Sequence, residues 1–82
     1  MTDLNTLLGP ELATLLTTPK QQQTAAQIIQ QLADREDQHT ARAWMIGMNP
    51  HLDDQAPILA IAEGRADEVR AAARAYLNGV WA

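Results

Sequence analysis

The sequence predicts an all-α fold, built as a small bundle of five or six short helices. Apolar side chains recur at spacings of three and four residues, whereas no segment alternates with a period of two. Only seven residues are Ile or Val, the apolar types that favour strands. With 82 residues, the chain is expected to form one domain over 1–82, with a helical part over 1–40 and a second over 41–82.

Three helices are expected before residue 40. A single helical turn over 3–8 precedes a short helix that starts at Pro10, where a proline loses no hydrogen bond. The third helix starts after Thr18, which forms a Thr-x-x-Gln capping box with Gln21, and it ends at about 34–35. Its apolar stripe consists of Ala25, Ile28, Ile29 and Leu32.

The next helix carries an apolar stripe and stops at Asn49-Pro50, because proline cannot continue it. Its N-cap is expected to be Asp37 or Thr40. We interpret the stripe as part of the core. The alternative is contact with a partner protein, since Gly47 lies within the stripe and would allow a close approach. The stripe consists of Ala41, Trp44, Met45 and Met48.

Two helices are expected after this stop. Residues 53–54 are interpreted as a turn that caps a short helix, which begins at Pro57 and ends at Gly64. The last helix opens at 66–68, where two carboxylates favour the positive end of the helix dipole. It is expected to end at Gly79.

Composition excludes several function classes. The chain has no Ser and no Cys, so catalysis by either nucleophile and disulfide formation are excluded. Six basic against ten acidic residues give a net charge of −4, and a nucleic-acid partner is not expected. No apolar run is long enough to span a membrane and no signal peptide is apparent. We therefore expect a cytoplasmic, non-enzymatic protein without metal or cofactor.

The core is expected to be marginal without a second copy of the chain. Of the 38 hydrophobic residues 15 are Ala, which leaves 23 large apolar side chains. Ordering the backbone costs about 1–2 kcal/mol per residue, so little surplus stability remains. We expect at least a dimer, in which Trp44, Met48 and Tyr76 help to hold the helices together.

Two features point towards a binding partner. Arg70 and Arg74 lie four residues apart on the last helix, either as a solvated face or as a basic strip for an acidic or phosphate-bearing partner. Trp81 lies one residue from the end of the sequence, where it either folds back on the domain or enters a pocket of a partner.

Residues 41–79 resemble a known family. The residues are Ala43-Trp44-Met45, Asn49-Pro50-His51-Leu52, Asp53-Asp54-Gln55-Ala56-Pro57-Ile58, Glu63-Gly64, Val69 and Ala73. Their order and spacing resemble the toxin-binding domain of Xre/MbcA/ParS-like antitoxins. That pattern has an Ala and a Trp-Leu pair, then Asn-Pro-x-Leu, a short loop, Pro-Leu, a Gly after one helix and a Val in the next. The family often has Gly-Gly where 53–54 are Asp-Asp, and its upstream helix-turn-helix is longer and more basic than residues 1–40.

This resemblance implies a helical domain that dimerises and binds a RES-domain toxin, an enzyme that consumes NAD. It also implies that the C-terminal portion, including Ala82, faces the toxin. The alternative is a self-assembling structural or regulatory module of a phage or mobile element, without a toxin partner. The predicted partner-binding residues are Trp44, Met48, Asn49, His51, Arg70, Arg74, Trp81 and Ala82.

Overall fold

The computed structural model describes residues 14–79, and these are helical as the sequence predicts. In this part of the chain lie α1 (Pro19–Arg35), α2 (Gln38–Ile46), a 3₁₀ helix (Pro50–Leu52), α3 (Pro57–Ala62) and α4 (Ala66–Leu77). The all-α prediction is confirmed. The count of five or six is not, because the described residues hold four α-helices and one 3₁₀ helix.

The two further helices that the sequence predicts both lie before α1. The expected turn over 3–8 lies outside the described residues. Of the expected helix after Pro10, residues 14–18 are described, and they form a turn and irregular chain instead of a helix. Leu16 is buried, whereas the neighbouring Leu15 is 40% exposed, so the two leucines do not share one apolar face.

Helix α1 forms the centre of the described fold, because it packs against α2, α3 and α4. Its start follows the predicted capping: the Thr18 hydroxyl accepts a hydrogen bond from the Gln21 N–H at 3.1 Å. The Gln21 amide oxygen in turn accepts from the Thr17 N–H at 3.1 Å. The buried core takes side chains from every element: Leu16, Ala25, Ile28, Ile29, Leu32, Ala41, Met45, Leu52, Ile58, Ala60, Ile61, Val69, Ala72 and Ala73.

Helix α2 ends earlier than its apolar stripe suggested. The Gly47 N–H bonds the Ala43 carbonyl, and the backbone then becomes extended. Met48 therefore lies beyond the helix with 82% of its surface exposed, and the prediction that it belongs to the core is wrong. Ala41 and Met45 from the same stripe are buried, and Trp44 is half-buried.

The remaining helices begin without side-chain caps. Pro57 starts α3 as predicted, but its N-cap is Ala56, so the expected capping of α3 by residues 53–54 is wrong. Gly64, with φ of +86°, lets the chain reverse after α3, and the Arg65 N–H reaches the Ala60 carbonyl at 2.8 Å. Helix α4 follows at once and packs its apolar face on α1.

Candidate functional site

An aromatic pair joins α2 to the C-terminal half of α4. The rings of Trp44 and Tyr76 lie 6.2 Å apart between centroids, at an interplanar angle of 52°. Such tilted pairs are more favourable than the buried area alone accounts for. Both side chains pack against the buried core while remaining half-buried themselves. Trp44 therefore stabilises the fold and also reaches the surface.

The Trp44 indole N–H is enclosed by protein. The Nε1 atom is buried and has no hydrogen-bond partner among residues 14–79. A buried donor without a partner costs free energy, because it loses its bonds to water. The indole N–H therefore faces the protein interior and not the solvent.

The last turn of α4 is held at the junction between α1 and α2. The Tyr76 hydroxyl lies 3.5 Å from Glu36 Oε1, and the Arg35 guanidinium donates to the Leu77 carbonyl at 3.0 Å. Partial burial and the nearby Glu36 carboxylate raise the pKa of Tyr76, because both disfavour the phenolate. We call Trp44, Tyr76, Glu36 and Arg35 the aromatic corner.

The Asn-Pro motif forms a compact loop organised by Asn49. The Asn49 side-chain oxygen accepts from the His51 N–H at 2.9 Å. Its backbone carbonyl accepts from the N–H groups of Leu52 and Asp54, each at 2.9 Å. Asn49 is 3% exposed, so its amide serves the loop internally. Its role in partner binding stays a prediction, and in the structure its hydrogen bonds hold the loop together.

Two left-handed residues close the loop. Asp53 and Asp54 have φ of +57° and +65°, a conformation that Asp and Asn adopt more readily than most side chains. Gln55 then pairs with Asn49 in an isolated antiparallel bridge. His51, which we singled out for partner binding, lies on this loop with an exposed side chain.

Arg65 ties the loop to the start of α4. Its guanidinium donates to Gln55 Oε1 at 2.8 Å and to both Glu68 oxygens at 2.8 and 3.1 Å, and it lies 3.6 Å from Asp53. The Arg65 bonds lower the pKa of Glu68, and the Glu68 bonds raise that of Arg65. We call Arg65, Gln55, Glu68 and Asp53 the polar clamp.

The exposed apolar side chains include two that flank Gly47. Ile46 is 43% exposed and Met48 82% exposed, and they are separated by that single residue. Met48 lies immediately before the loop organised by Asn49. Methionine is frequent at protein-binding surfaces, because its flexible thioether adapts to the shape of a partner. We call Ile46 and Met48 the Met48 surface.

The two arginines of the predicted basic strip have different surroundings. Arg70 is half-buried and reaches α1, donating to Gln27 Oε1 at 2.9 Å and to Thr24 Oγ1 at 3.4 Å. Arg74 is exposed. The two arginines thus differ in burial and in hydrogen-bond partners. Trp81 and Ala82 lie outside the described residues.

Neither a metal site nor a membrane span is found in the described residues. Among residues 14–79, no three His, Asp or Glu side chains converge where they could hold a metal ion. In the same range, no helix combines the length and apolar character needed to cross a bilayer. Residues 53–54 form a turn, as the sequence predicts.

Comparison with known proteins gives no further assignment: no family model, no curated protein and no solved structure matches this chain.

Sequence reasoning missed the polar clamp and the contact between Tyr76 and Glu36. A signal for the clamp was present, since Glu68 follows Arg65 at i+3 and the two can pair across the first turn of α4. No comparable signal existed for Tyr76 and Glu36. They are 40 residues apart in sequence and meet only because α4 packs against the α1–α2 junction.

Proposed function

We propose that this protein is a non-enzymatic protein–protein interaction module that binds and neutralises a RES-domain toxin, as an antitoxin does. The exposed Met48, immediately before the loop organised by Asn49, is the observation that supports a binding role. The choice of an NAD-consuming toxin as partner follows from the resemblance of residues 41–79 to the antitoxin domain. The proposal places both proteins in the cytoplasm, where such a toxin would act.

The Met48 surface suits a partner that offers an apolar pocket. Burying an exposed methionine contributes roughly 25 cal/mol per Å² of apolar surface removed from water. Because the loop is already fixed by the Asn49 and Arg65 hydrogen bonds, little ordering entropy would be lost on binding. Ile46, the exposed part of Trp44 and His51 are its neighbours in sequence.

Co-expression with a RES-domain protein encoded next to this gene tests the proposal. We expect the two chains to copurify and the toxin's NAD consumption to stop. Met48→Glu should weaken the complex by at least about tenfold, because a charge would replace an apolar contact. Ala71→Glu, which adds the same charge at an exposed position of α4, should leave the complex intact. If neither wild type nor variants bind any RES protein of the genome, the proposal is wrong.

A second candidate is self-association, in which another copy of the chain covers the Met48 surface. The two exposed apolar side chains around Gly47 favour it, and it would provide the dimer expected from the small core. Sedimentation of the full chain over a series of micromolar concentrations distinguishes self-association from a monomer. A dimer that Met48→Glu converts to a folded monomer supports self-association through this surface. A stable wild-type monomer excludes it.

A further inference from the structure

A cleft lies between the start of α1, the end of α3 and the start of α4. Its volume is about 440 Å³, and its polar lining consists of Thr18, Lys20, Gln21, Thr24, Asp67 and Arg70. The Gln21 side chain also donates to the Ala62 carbonyl at 3.3 Å, which holds α1 against the end of α3. The walls are therefore fixed by contacts between helices.

Arg70 is a half-buried cation in this cleft whose partners are neutral. A single nitrogen, Nη2, makes both of its bonds, to Gln27 and Thr24. Among residues 14–79, no carboxylate lies within ion-pair distance of Arg70. Its Nε and Nη1 hydrogens have no protein acceptor among residues 14–79. The Nε–H and the Nη1 hydrogens point to different sides of the guanidinium, so each remains available to donate a single charge-assisted hydrogen bond to an oxyanion.

Two further groups add to this donor set. Lys20 lines the same cleft and brings a second positive charge. The Thr18 hydroxyl accepts from the Gln21 N–H, so its own hydrogen remains to be donated. Asp67 is the one carboxylate in the lining, which leaves two cations against one anion in a chain whose net charge is −4.

We propose that this cleft is a binding site for an oxyanion, a carboxylate or a phosphate group, with Arg70 as its main ligand. Lys20 supplies the second charge and Thr18 a neutral donor. Half-burial of Arg70 reduces screening by water and by salt, which strengthens its attraction for an anion compared with a fully exposed arginine. This inference is independent of the toxin proposal, because it uses neither the Met48 surface nor the aromatic corner.

The test is an anion titration of the full chain, in which nuclear magnetic resonance spectra monitor the backbone amide signals. Inorganic phosphate and acetate are the two probes, each against a chloride series of equal ionic strength. We expect saturable shifts at the amides of Lys20, Gln21 and Arg70 with at least one probe. Saturation by phosphate alone assigns a phosphate-bearing ligand, and saturation by acetate alone assigns a carboxylate.

Matched variants distinguish specific anion binding in the cleft from nonspecific attraction of anions to any surface cation. Arg70→Gln should weaken binding about tenfold or more, and Lys20→Gln should weaken it less. Arg74→Gln removes the same charge from an exposed position of α4 and should change affinity by less than about twofold. Asp67→Asn should strengthen binding, because it removes the competing carboxylate.

The variants must keep the helical circular dichroism and cooperative melting of the wild type. Arg70→Lys provides a second variant, which keeps the charge and loses the planar fork, and it should bind with an affinity between wild type and Arg70→Gln. Shifts that never saturate with either probe, or an equal loss in Arg70→Gln and Arg74→Gln, would overturn the proposal.

Discussion

The two ends of α4 are held to the rest of the domain by different interactions. At its start, the polar clamp joins charged and amide side chains near the surface, through Arg65, Gln55 and Glu68. At its other end, the aromatic corner packs Tyr76 on Trp44 over the buried core. Between them, Val69, Ala72 and Ala73 are buried in the core.

This difference has consequences for stability. Water competes for exposed ion pairs and hydrogen bonds, so each contributes little to the free energy of unfolding. Aromatic packing removes apolar surface from water and makes many dispersion contacts. We therefore infer that the corner contributes to global stability, whereas the clamp fixes the local geometry of the loop over 49–55.

The largest effect is expected at the corner. Trp44→Ala should lower the free energy of unfolding by about 2–3 kcal/mol, below the 3–5 typical of fully buried Trp, because Trp44 is half-buried. Urea unfolding followed by circular dichroism measures the loss. Trp44→Phe keeps a ring against Tyr76 and should lose less. A loss from Trp44→Ala below about 0.5 kcal/mol would show that the aromatic pair does not hold α4.

A smaller global effect is expected at the clamp. Arg65→Gln should lower the melting temperature less than Trp44→Ala does, because its interactions lie near the surface. Amide hydrogen exchange at Asp54 and Gln55 should nevertheless become faster, since the loop loses its link to α4. Arg74→Gln is the matched control and should leave this exchange unchanged. Slow exchange in Arg65→Gln would mean that Asn49 alone holds the loop.

The sequence predicted those parts of the fold that depend on local rules. The Thr18 cap, the prolines that begin helices and the Gly64 turn follow from the preferences of single residues. Periodicity misplaced Met48, because a spacing of i+7 from Ala41 continues the stripe even after the helix has ended. Hydrophobic periodicity predicts which face of a helix a residue would occupy, but it does not predict the residue at which the helix ends.

The candidate site was harder to predict from the sequence than the fold. Arg70 and Arg74 look equivalent at helical spacing, yet only Arg70 meets α1, at Thr24 and Gln27. That distinction depends on which face of α1 packs beside α4, and no local pattern specifies it. The cleft that contains Lys20 and Arg70 joins residues 50 positions apart for the same reason.

A pH dependence on the alkaline side is expected from Tyr76, the one tyrosine of the chain. Its pKa is raised in the folded state by burial and by Glu36. The neutral phenol is favoured by folding, so this stabilisation is present below the unfolded pKa and is lost as the pH rises through the folded pKa. The phenolate absorbance should appear at a higher pH in the folded protein than in urea. Glu36→Gln should bring the two titrations closer together, and identical titrations in wild type would contradict the contact.

The smallest effect concerns Asp37, which begins α2 beside the aromatic corner. Its carboxylate accepts from the Thr40 N–H at 2.6 Å, and the bonds to Thr40 lower its pKa. Folding thus favours the ionised form: the stabilisation is present above the unfolded pKa and is lost as the pH falls through the folded pKa. Asp37→Asn keeps an N-cap acceptor but does not titrate. Melting temperatures measured from neutral to acidic pH should therefore fall slightly less steeply in Asp37→Asn than in wild type, and parallel curves would show that the cap does not depend on charge.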